Sequence, residues 1–482
     1  MAENMENTNF YDVVIIGGGV SGCACAWNCA KLGLSTVLIE KKSFLGGSIS
    51  GGLVVPMMNT DDNRINIDFY KELIRYAQIY DAQITYSDLN KGWFNPELIK
   101  IVLDEMLIDA GVTIYFNSDI YDISTTVNAS IIEKIKYILT YNNRTIAETY
   151  NDKIVKSILI KRNVLSYYVD EIHNDNIEPS DNENSNSENE FYNSSYDFNN
   201  LFKKIDAKYF VDASGDAIIS ELLSLKMQPD NDLRQEDTLR FIMSNIDSRR
   251  FSKWLLECDQ DRNITNVTSS TNNEFYMTTS YTSDSNRSWD LSDILHTAVA
   301  NGDLEEEDTQ YFQIFGVAKM PGAVAFNCPR IDHSLPYEQK LITGRKAIYR
   351  LAYFCKIYLP GFENAYISHI AYDLGVRVTN RPMAVYNYTI DDIINNKQFE
   401  NIALHSNYPV DIHSNEKIEI EKIESKGYDL PIESLMSADY NNLFTIGKSV
   451  GADFKAQSAL RVQRSCLSMG EAVSKHIRSL IQ

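Results

Sequence analysis

The chain has 482 residues, of which 44% are apolar, and this predicts a folded protein of two or three domains. Its net charge of -21 argues against nucleic acid or an anionic membrane as a partner, because both bind basic surfaces. No apolar run approaches the roughly 20 residues that span a bilayer, and the cysteines form no regular disulfide framework, so we expect a soluble, cytoplasmic protein that acts on a small molecule.

The N-terminal part of the chain predicts a strand, a helix and a second strand. Residues 12–16 are an apolar run typical of a buried parallel strand, and a glycine cluster follows directly. Residues 21–32 predict a helix that Gly33 ends, and residues 36–39 predict a second buried strand leading to Glu40. This order is typical of the dinucleotide-binding unit. An ordinary glycine turn in an α/β protein is the weaker alternative.

The glycine cluster fits the pattern G-x-G-x-x-G, in which each position requires glycine for a different structural reason. Gly17 makes the tight turn, Gly19 lets the backbone approach a pyrophosphate, and Gly22 lets the helix pack on the strand. Phosphate groups bind favourably at the helix N-terminus, because the helix dipole makes that end positive. An acidic residue after the second strand accepts hydrogen bonds from the ribose hydroxyl groups. We therefore assign nucleotide binding to Gly17, Gly19, Val20, Ser21, Gly22 and Glu40.

Four further segments follow in chain order. Apolar residues repeat every four positions over 96–110, which predicts a helix, and residues 112–116 predict a strand after it. Residues 137–169 predict a small antiparallel meander. Residues 171–200 are rich in Asp, Glu, Asn and Ser and contain no Lys or Arg, so they bury too little apolar area and predict a disordered loop.

The remaining chain returns twice to strands that end in glycine turns. Residues 208–213 predict a buried strand that leads to Gly215 and Asp216. Residues 442–481 predict a strand, a turn at Gly447 and a long helix. The stretch 226–427 has no nucleotide motif and predicts an inserted domain. No His and Glu spacing of a metal site is present, so we expect no metal.

The glycine-rich stretch after Glu40 and several later segments share one resemblance. They are residues 41–53, 210–216, 320–327, 359–366, 374–377, 408–413, 442–448 and 459–462, followed by Cys466. In this order they resemble the FAD-dependent oxidoreductases whose FAD-binding core is glutathione-reductase-like. The resemblance implies bound FAD. It adds these residues to the predicted cofactor site: Lys41, Gly46, Gly47, Ser48, Gly215, Asp216, Gly447 and Lys448.

The resemblance also implies an architecture and a set of domains. We expect an α/β fold with a doubly wound, mostly parallel FAD-binding sheet, an antiparallel meander and an inserted mixed-sheet substrate domain. Residues 1–58, 96–225 and 428–482 are assigned to the FAD-binding domain. Residues 59–95 are assigned to a substrate-side excursion, and residues 226–427 to the substrate domain.

The function that the resemblance implies is two-electron oxidation or reduction of a small organic substrate, by hydride transfer at flavin N5. No second G-x-G-x-x-G occurs, so we expect no separate nicotinamide domain of this type. Electrons are therefore expected to pass directly between substrate and flavin, or to an acceptor partner. Lys448, Arg464 and Ser474 depart from the family pattern and keep open a non-catalytic flavin-binding sensor. A flavoenzyme that modifies a macromolecule such as tRNA is a further alternative, which the acidic charge disfavours. The sequence sets no oligomeric state.

Four residues are candidates for substrate chemistry. In the family pattern, the stretches of His413 and Arg461 converge near the flavin, where Arg461 would orient an anionic substrate and His413 would exchange a proton. Alternatively, Arg461 holds the loop after Gly451 through backbone carbonyls. Arg377 and Arg381 could clamp a substrate carboxylate, and solvated surface pairing is the other interpretation.

The cysteines near the predicted cofactor site favour packing over chemistry. Cys23, Cys25 and Cys29 lie on the first predicted helix, where a free thiol behaves as a small apolar residue, and a redox or metal role is the alternative. Cys466, near the start of the last helix, could have a lowered thiol pKa there. We favour packing for Cys466 as well.

Overall fold

The structure of the protein is a computed structural model. It describes residues 9–60, 65–86, 89–126, 153–163, 202–258, 265–269, 275–279, 291–413, 418–421 and 427–481. The predicted disordered loop at 171–200 and most of the predicted meander at 137–169 lie outside these residues.

Strands and helices alternate along much of the described chain. The strands are β1 (Asn9–Ile16), β2 (Thr36–Ile39), β3 (Gln83–Ile84), β4 (Trp93–Phe94), β5 (Thr113–Tyr115), β6 (Ser118–Thr125), β7 (Val155–Arg162), β8 (Phe202–Asp212), β9 (Asp237–Thr238), β10 (Phe241–Ser244), β11 (Thr265–Ser269), β12 (Phe275–Thr279), β13 (Ile314–Gly316), β14 (Val324–Phe326), β15 (Arg330–Ile331), β16 (Tyr366–Ile370), β17 (Ile402–Ser406), β18 (Val410–His413), β19 (Ile418–Glu421), β20 (Tyr428–Pro431) and β21 (Leu443–Thr445). The α-helices are α1 (Val20–Lys31), α2 (Asp68–Ile79), α3 (Leu98–Ala110), α4 (Ile218–Leu222), α5 (Ser248–Cys258), α6 (Leu291–Ala300), α7 (Glu306–Thr309), α8 (Tyr337–Tyr358), α9 (Ile390–Ile394), α10 (Phe454–Leu460) and α11 (Gln463–Ile481). Within the described ranges, no helix combines the length and apolarity needed to cross a bilayer.

The first sheet has seven strands and carries the predicted nucleotide unit. Its order is β5-β2-β1-β8-β7-β6, and β21 pairs with β8 beside this path. β5, β2, β1, β8 and β21 pair in parallel, whereas β7 pairs antiparallel with both β6 and β8. The expected parallel-dominated α/β sheet with an antiparallel meander is therefore confirmed, and β2 has the predicted bounds.

The second sheet has six strands in the order β11-β12-β13-β14-β10-β16. We expected a mixed sheet here, but every pairing among its described strands is antiparallel. Part of the reason is chain geometry. Residues 317–323 form a short connection between β13 and β14, and such a connection joins antiparallel strands, whereas parallel neighbours need a long crossover.

Two large apolar cores accompany the two sheets. The first lies against the parallel sheet and includes residues of α1, α3 and α11. The second lies against the six-stranded sheet and includes residues of α8. Leu404 of β17 belongs to the first core, although its sequence position falls in the predicted substrate domain. The domain boundaries stay a prediction.

The first and last described helices pack closely on each other. A Cβ at Gly470 of α11 would stand 2.3 Å from the Ser21 carbonyl oxygen and 2.9 Å from the Cys25 nitrogen of α1. Cys23 and Cys29 are fully buried in the same core, and burial raises the pKa of both thiols. These contacts fit the packing interpretation of the helix cysteines and bring the start of α11 beside the glycine turn.

Candidate active site

A cavity of about 480 Å³ opens where β1, β2 and β8 end at the same edge of the parallel sheet. Its walls come from several distant parts of the chain, which only the folded sheet brings together. Most residues predicted to bind the cofactor line it: Gly17, Gly19, Val20, Ser21, Glu40, Lys41, Gly47, Ser48, Gly215, Asp216, Gly447 and Lys448.

The glycine turn forms one wall, and each glycine meets a different constraint. Gly17 has φ of 101°, in the left-handed region that favours glycine. A Cβ at Gly19 would meet no atom within 4 Å, so the space beside its backbone is open. A Cβ at Gly22 would lie 1.9 Å from the Gly17 carbonyl oxygen, so a side chain there would push α1 away from the turn. Gly46 does not line the cavity, and its N–H donates to the Gly18 carbonyl at 2.8 Å.

Glu40 supplies a buried carboxylate to the same wall. Its Oε2 accepts the Gly18 N–H at 2.6 Å, and its Oε1 accepts the Lys42 N–H at 2.9 Å. Burial raises the pKa of Glu40, and the two N–H donors oppose that effect. Each carboxylate oxygen can accept more than one hydrogen bond, so Glu40 can also accept hydrogen bonds from the hydroxyl groups of a polyol ligand.

A second acid, Asp212, shapes the loop that follows β8. Its Oδ1 accepts the Ser214 N–H at 3.1 Å and the Ser214 hydroxyl at 2.6 Å, while its Oδ2 accepts the Ile219 N–H at 2.8 Å. Burial raises the pKa of Asp212 to about 6. We named Gly215 and Asp216 from the sequence but missed Asp212, although an acid followed two positions later by Ser is a common turn signal.

Lysines flank the cavity beside Asp216. The Lys448 Nζ donates to the Val376 carbonyl at 3.1 Å and lies 3.6 Å from the Asp216 carboxylate. The Lys41 Nζ lies 3.8 Å from the same carboxylate. Two cations therefore share one partly exposed anion at this wall, which leaves positive charge available to a bound phosphate.

The start of α11 forms another wall. Gln463 donates from Nε2 to the Ser48 hydroxyl at 3.2 Å and to the Val54 carbonyl at 3.3 Å, so it ties the helix to the predicted flavin-side turn. Cys466 also lines the cavity, but burial raises the pKa of its thiol to about 12. A lowered thiol pKa at this helix start is therefore wrong, and packing is the interpretation that fits.

Arg461 lines the cavity just before α11 and is held by strand β18. Its Nη2 donates to the Asp411 carbonyl at 3.0 Å and to the Asp411 carboxylate at 3.3 Å. These contacts are with β18 and not with the loop after Gly451. His413 ends the same strand, where its backbone pairs with Ile418. Neither role predicted for the two side chains is tested by these contacts.

Arg377 and Arg381 lie in the irregular stretch after β16, outside the cavity lining. Both are buried, so solvated surface pairing does not describe either of them. Arg377 follows Val376, which lines the cavity. The Arg381 Nη1 donates to the Asp230 carboxylate at 2.9 Å and to the Ala452 carbonyl at 3.1 Å. The substrate role predicted for Arg381 stays a prediction, and its observed partners are protein groups.

Two arginines near Arg377 were missed from the sequence. Arg240 directly precedes β10, and Arg330 begins β15 with its guanidinium carbon 3.7 Å from the centre of the Tyr311 ring. Each stands alone among apolar neighbours in the sequence, so no spacing marks it. The nearest available signal was the segment 320–327, which ends three positions before Arg330.

Comparison with known proteins gives one extensive match and several local ones. The model of the FAD dependent oxidoreductase family matches residues 12–152 and 193–476. The chain is 41% identical over 46 residues to the mitochondrial glycerol-3-phosphate dehydrogenase of Rattus norvegicus. This aligned segment covers 10% of this chain and 6% of that enzyme's length. It is 35% identical over 72 residues to a digeranylgeranylglycerophospholipid reductase of Thermoplasma acidophilum, which covers 14% of this chain and 18% of that enzyme.

Among solved structures, a p-nitrophenol 4-monooxygenase from Pseudomonas putida aligns with 98% of this chain and 81% of its own, at 10% identity and a TM-score of 0.47. A geranylgeranyl bacteriochlorophyll reductase-like protein from Thermoplasma acidophilum aligns with 98% of this chain and 79% of its own, at 12% identity and a TM-score of 0.42.

Proposed function

Because the chain belongs to the FAD dependent oxidoreductase family, and is thus an FAD-dependent enzyme, we propose that it holds FAD in the cavity beside the glycine turn. We further propose that it oxidises or reduces a small organic substrate there. The observation that carries this proposal is that one cavity joins the glycine turn, Glu40 and the start of α11. Family membership favours catalysis over a non-catalytic flavin sensor, and the net charge of -21 favours a small molecule over a macromolecule such as tRNA.

The residues of the glycine turn suit the dinucleotide part of FAD. The open space at Gly19 admits a pyrophosphate, and the N–H groups at the start of α1 would donate to it with the helix dipole. Glu40 would accept ribose hydroxyls, and Lys41 and Lys448 would balance phosphate charge. This wall therefore offers the dinucleotide part of FAD open space, hydrogen-bond donors and positive charge.

The start of α11 suits the redox-active ring. When bound, FAD supplies a centre that accepts or donates a hydride at N5. The positive N-terminus of α11 would stabilise negative charge on a neighbouring ring system. Gln463 holds this helix start against Ser48 and Val54, so the wall is fixed before any ligand binds.

Arg461 and His413 are the proposed substrate residues. Asp411 orients the Arg461 guanidinium, which would hold the substrate against the cavity wall. His413 lies two positions after Asp411 on β18 and would exchange the proton that accompanies the redox step.

The test starts with purified protein, which is expected to be yellow and to release FAD on denaturation. Colourless protein that takes up no offered FAD would overturn the proposal. A library of small organic compounds is then screened under anaerobic conditions for loss of the visible flavin absorption. A compound that reduces the flavin identifies the electron donor, and a small compound that reoxidises the reduced enzyme identifies the electron acceptor.

With a reducing compound in hand, Arg461→Lys and His413→Ala separate binding from chemistry. We expect both variants to keep FAD and to slow flavin reduction by roughly 100-fold or more, the scale of a lost acid or base. His296→Ala, at an exposed position of α6, is the matched control and should reduce at the wild-type rate. Wild-type rates in both Arg461→Lys and His413→Ala would remove these residues from the mechanism.

A further inference from the structure

Four arginines from distant parts of the chain converge at one wall of the cavity and behind it. They are Arg240, Arg330, Arg377 and Arg461. Arg330 and Arg377 each donate from Nη1 to the same Thr238 hydroxyl, at 2.8 and 2.9 Å. The two guanidinium groups therefore lie within two hydrogen-bond lengths of each other.

The charges in this cluster repel one another. Arg330 and Arg461 are among the charges that act most strongly on Arg240 and on Arg377. Burial, followed by the positive charge of Arg330, lowers the pKa of Arg240 to about 10 and holds the pKa of Arg377 well below its usual value. Buried like charges cost free energy unless an anion pairs with them.

The two carboxylates nearest to Thr238 have partners outside the arginine cluster. The Asp237 carboxylate lies 2.7 Å from the Lys340 Nζ. The Glu236 Oε1 lies 3.1 Å from the His333 Nδ1, and the Glu236 Oε2 is buried with no hydrogen-bond partner among the described residues. Arg377 contacts only the backbone carbonyl of Glu236, at 2.6 Å.

Three of these arginines, Arg240, Arg377 and Arg461, have few hydrogen bonds from their side chains. Asp411 pairs with Arg461 at 3.3 Å. Among the described residues, Arg240 has no side-chain hydrogen bond or ion pair. Arg377 donates only to the neutral Glu236 carbonyl and Thr238 hydroxyl. Arg240 and Arg377 therefore carry positive charge that no carboxylate in the described part of the chain pairs with.

The cluster adjoins the proposed substrate space. Arg461 itself lines the cavity, and so do Gly375 and Val376, which directly precede Arg377. A Cβ at Gly375 would stand 3.1 Å from the Arg240 Nη1, so this guanidinium lies directly behind the wall. Arg240 and Arg330 keep partial surface exposure, and the positive charge of Arg330 is close enough to lower the pKa of Arg240. This combination is expected of side chains that face an internal space.

Neutral polar groups complete the surroundings. Tyr311, which Arg330 covers, donates its hydroxyl to the Gln313 Oε1 at 2.8 Å, and the Asn327 Nδ2 donates to the same oxygen at 2.8 Å. The Asn327 Oδ1 is buried and has no hydrogen-bond partner in the described part of the chain. A buried acceptor of this kind usually receives a donor from water or a ligand.

We propose that Arg240, Arg330 and Arg377, with Arg461 at the cavity wall, bind an anionic group of the substrate, a carboxylate or a phosphate. Guanidinium forks match both groups, and several forks around one point select an anion over a neutral analogue. The Asn327 Oδ1 would accept a hydroxyl or amine hydrogen of the same molecule. This inference rests on the proposed function, because it names the substrate class of the same cavity.

The test uses the FAD-loaded protein and three probes: malonate, inorganic phosphate and the uncharged analogue malonamide. Binding is followed by the change in the visible flavin spectrum and by calorimetry. We expect saturable binding of malonate or phosphate and none of malonamide. The tighter of the two anions identifies a carboxylate or a phosphate site.

Two variants carry the test further. Arg240→Gln and Arg377→Gln should retain FAD and weaken anion binding by roughly 10-fold or more, the scale of a lost charged hydrogen bond. Arg345→Gln, at an exposed position of α8, makes the same charge change and should bind like wild type. Arg240→Gln should also raise the Tm of the anion-free protein, because it removes repulsion and breaks no protein hydrogen bond. A purely structural arginine would lower Tm instead.

The outcomes separate the two proposals. Wild-type protein that binds no FAD overturns the proposed function. FAD-loaded protein that binds neither anion, or variants that bind the anion as tightly as wild type, overturns the arginine site alone. If Arg377→Gln does not fold, because Thr238 and Glu236 lose a donor, Arg240→Gln decides the question.

Discussion

The nucleotide end and the arginine end of the proposed active site are built in opposite ways. The nucleotide end uses backbone N–H groups, glycines and one carboxylate, mostly from a short segment that contains Gly17, Gly22 and Glu40. The arginine end uses long side chains from four separate segments around Thr238. The first depends on main-chain geometry, and the second depends on tertiary packing of the second sheet.

This difference predicts different mutational behaviour at the two ends. At the nucleotide end, a single added carbon can remove the cofactor or the fold, because there the backbone itself is the binding surface. At the arginine end, removal of a charge should weaken one ligand and relieve repulsion. The following experiments probe the nucleotide end, from the largest expected effect to the smallest.

Gly22→Ala should have the largest effect. The added Cβ would lie 1.9 Å from the Gly17 carbonyl oxygen, so α1 must move away from the turn. We expect a loss of roughly 3 kcal/mol or more of stability, the upper range for overpacking, together with loss of FAD. Denaturant unfolding and the FAD content of the purified protein measure both. Folded yellow protein of wild-type stability would contradict the close packing of α1.

Gly19→Val should separate cofactor binding from folding. Its side chain would enter open space, because no atom lies within 4 Å of the Cβ position. We expect the unfolding midpoint of FAD-free protein to stay near wild type, and FAD affinity to fall by roughly 100-fold or more through a steric clash. Wild-type FAD affinity in this variant would show that the pyrophosphate does not approach Gly19.

Glu40→Gln should have a smaller effect on both properties. The Glu40 carboxylate accepts hydrogen bonds from the N–H groups of Gly18 and Lys42. Glutamine has the same shape, but its amide NH₂ is a donor, so one of these two N–H groups loses its acceptor. A lost charged hydrogen bond costs roughly 1.5 to 3 kcal/mol, so FAD affinity should fall about 10-fold or more. Glu72→Gln makes the same change at a partly exposed site on α2, where the carboxylate pairs with Arg75, and serves as the control. Unchanged FAD affinity in Glu40→Gln would place the ribose elsewhere.

Asp212→Asn should reveal the smallest effect, through pH. Burial raises the folded-state pKa of Asp212 from 3.8 to about 6. Between these values the folded carboxyl keeps a proton that the unfolded chain releases. The wild type therefore loses stability relative to the variant as pH rises through this range.

The measurement compares denaturant unfolding of FAD-free wild type and Asp212→Asn at about pH 4 and about pH 7. Each protein serves as the other's reference, so other titrating groups cancel. A difference in unfolding free energy that stays constant between the two pH values would contradict a raised pKa at Asp212.

Sequence reasoning succeeded where one short segment forms its own structure. β2 was predicted with its bounds, and α1 was displaced by one residue, because apolar runs and glycine turns act locally. The same reasoning identified Gly215 and Gly447 as residues of the cavity wall, because each lies in a glycine turn that follows a buried strand.

Sequence reasoning failed where the outcome depends on strands pairing at a distance. The second sheet was expected to be mixed and is antiparallel among its described strands, and strand direction is set by connections that no local pattern encodes. Arg240 and Arg330 were missed for the same reason. Each has an unremarkable neighbourhood in the sequence, and only the pairing of β9 with β15 brings Thr238 beside Arg330.

The contact of Gly470 with the Ser21 backbone has a consequence for how the protein is made. β1 and α1 are synthesised early, whereas β21, Arg461 and α11 leave the ribosome long after them. Until then the cavity lacks the wall formed by Gln463 and Cys466. In the proposed binding mode, a partly synthesised chain would not enclose FAD, and FAD capture would report that the late segment has reached its place on α1.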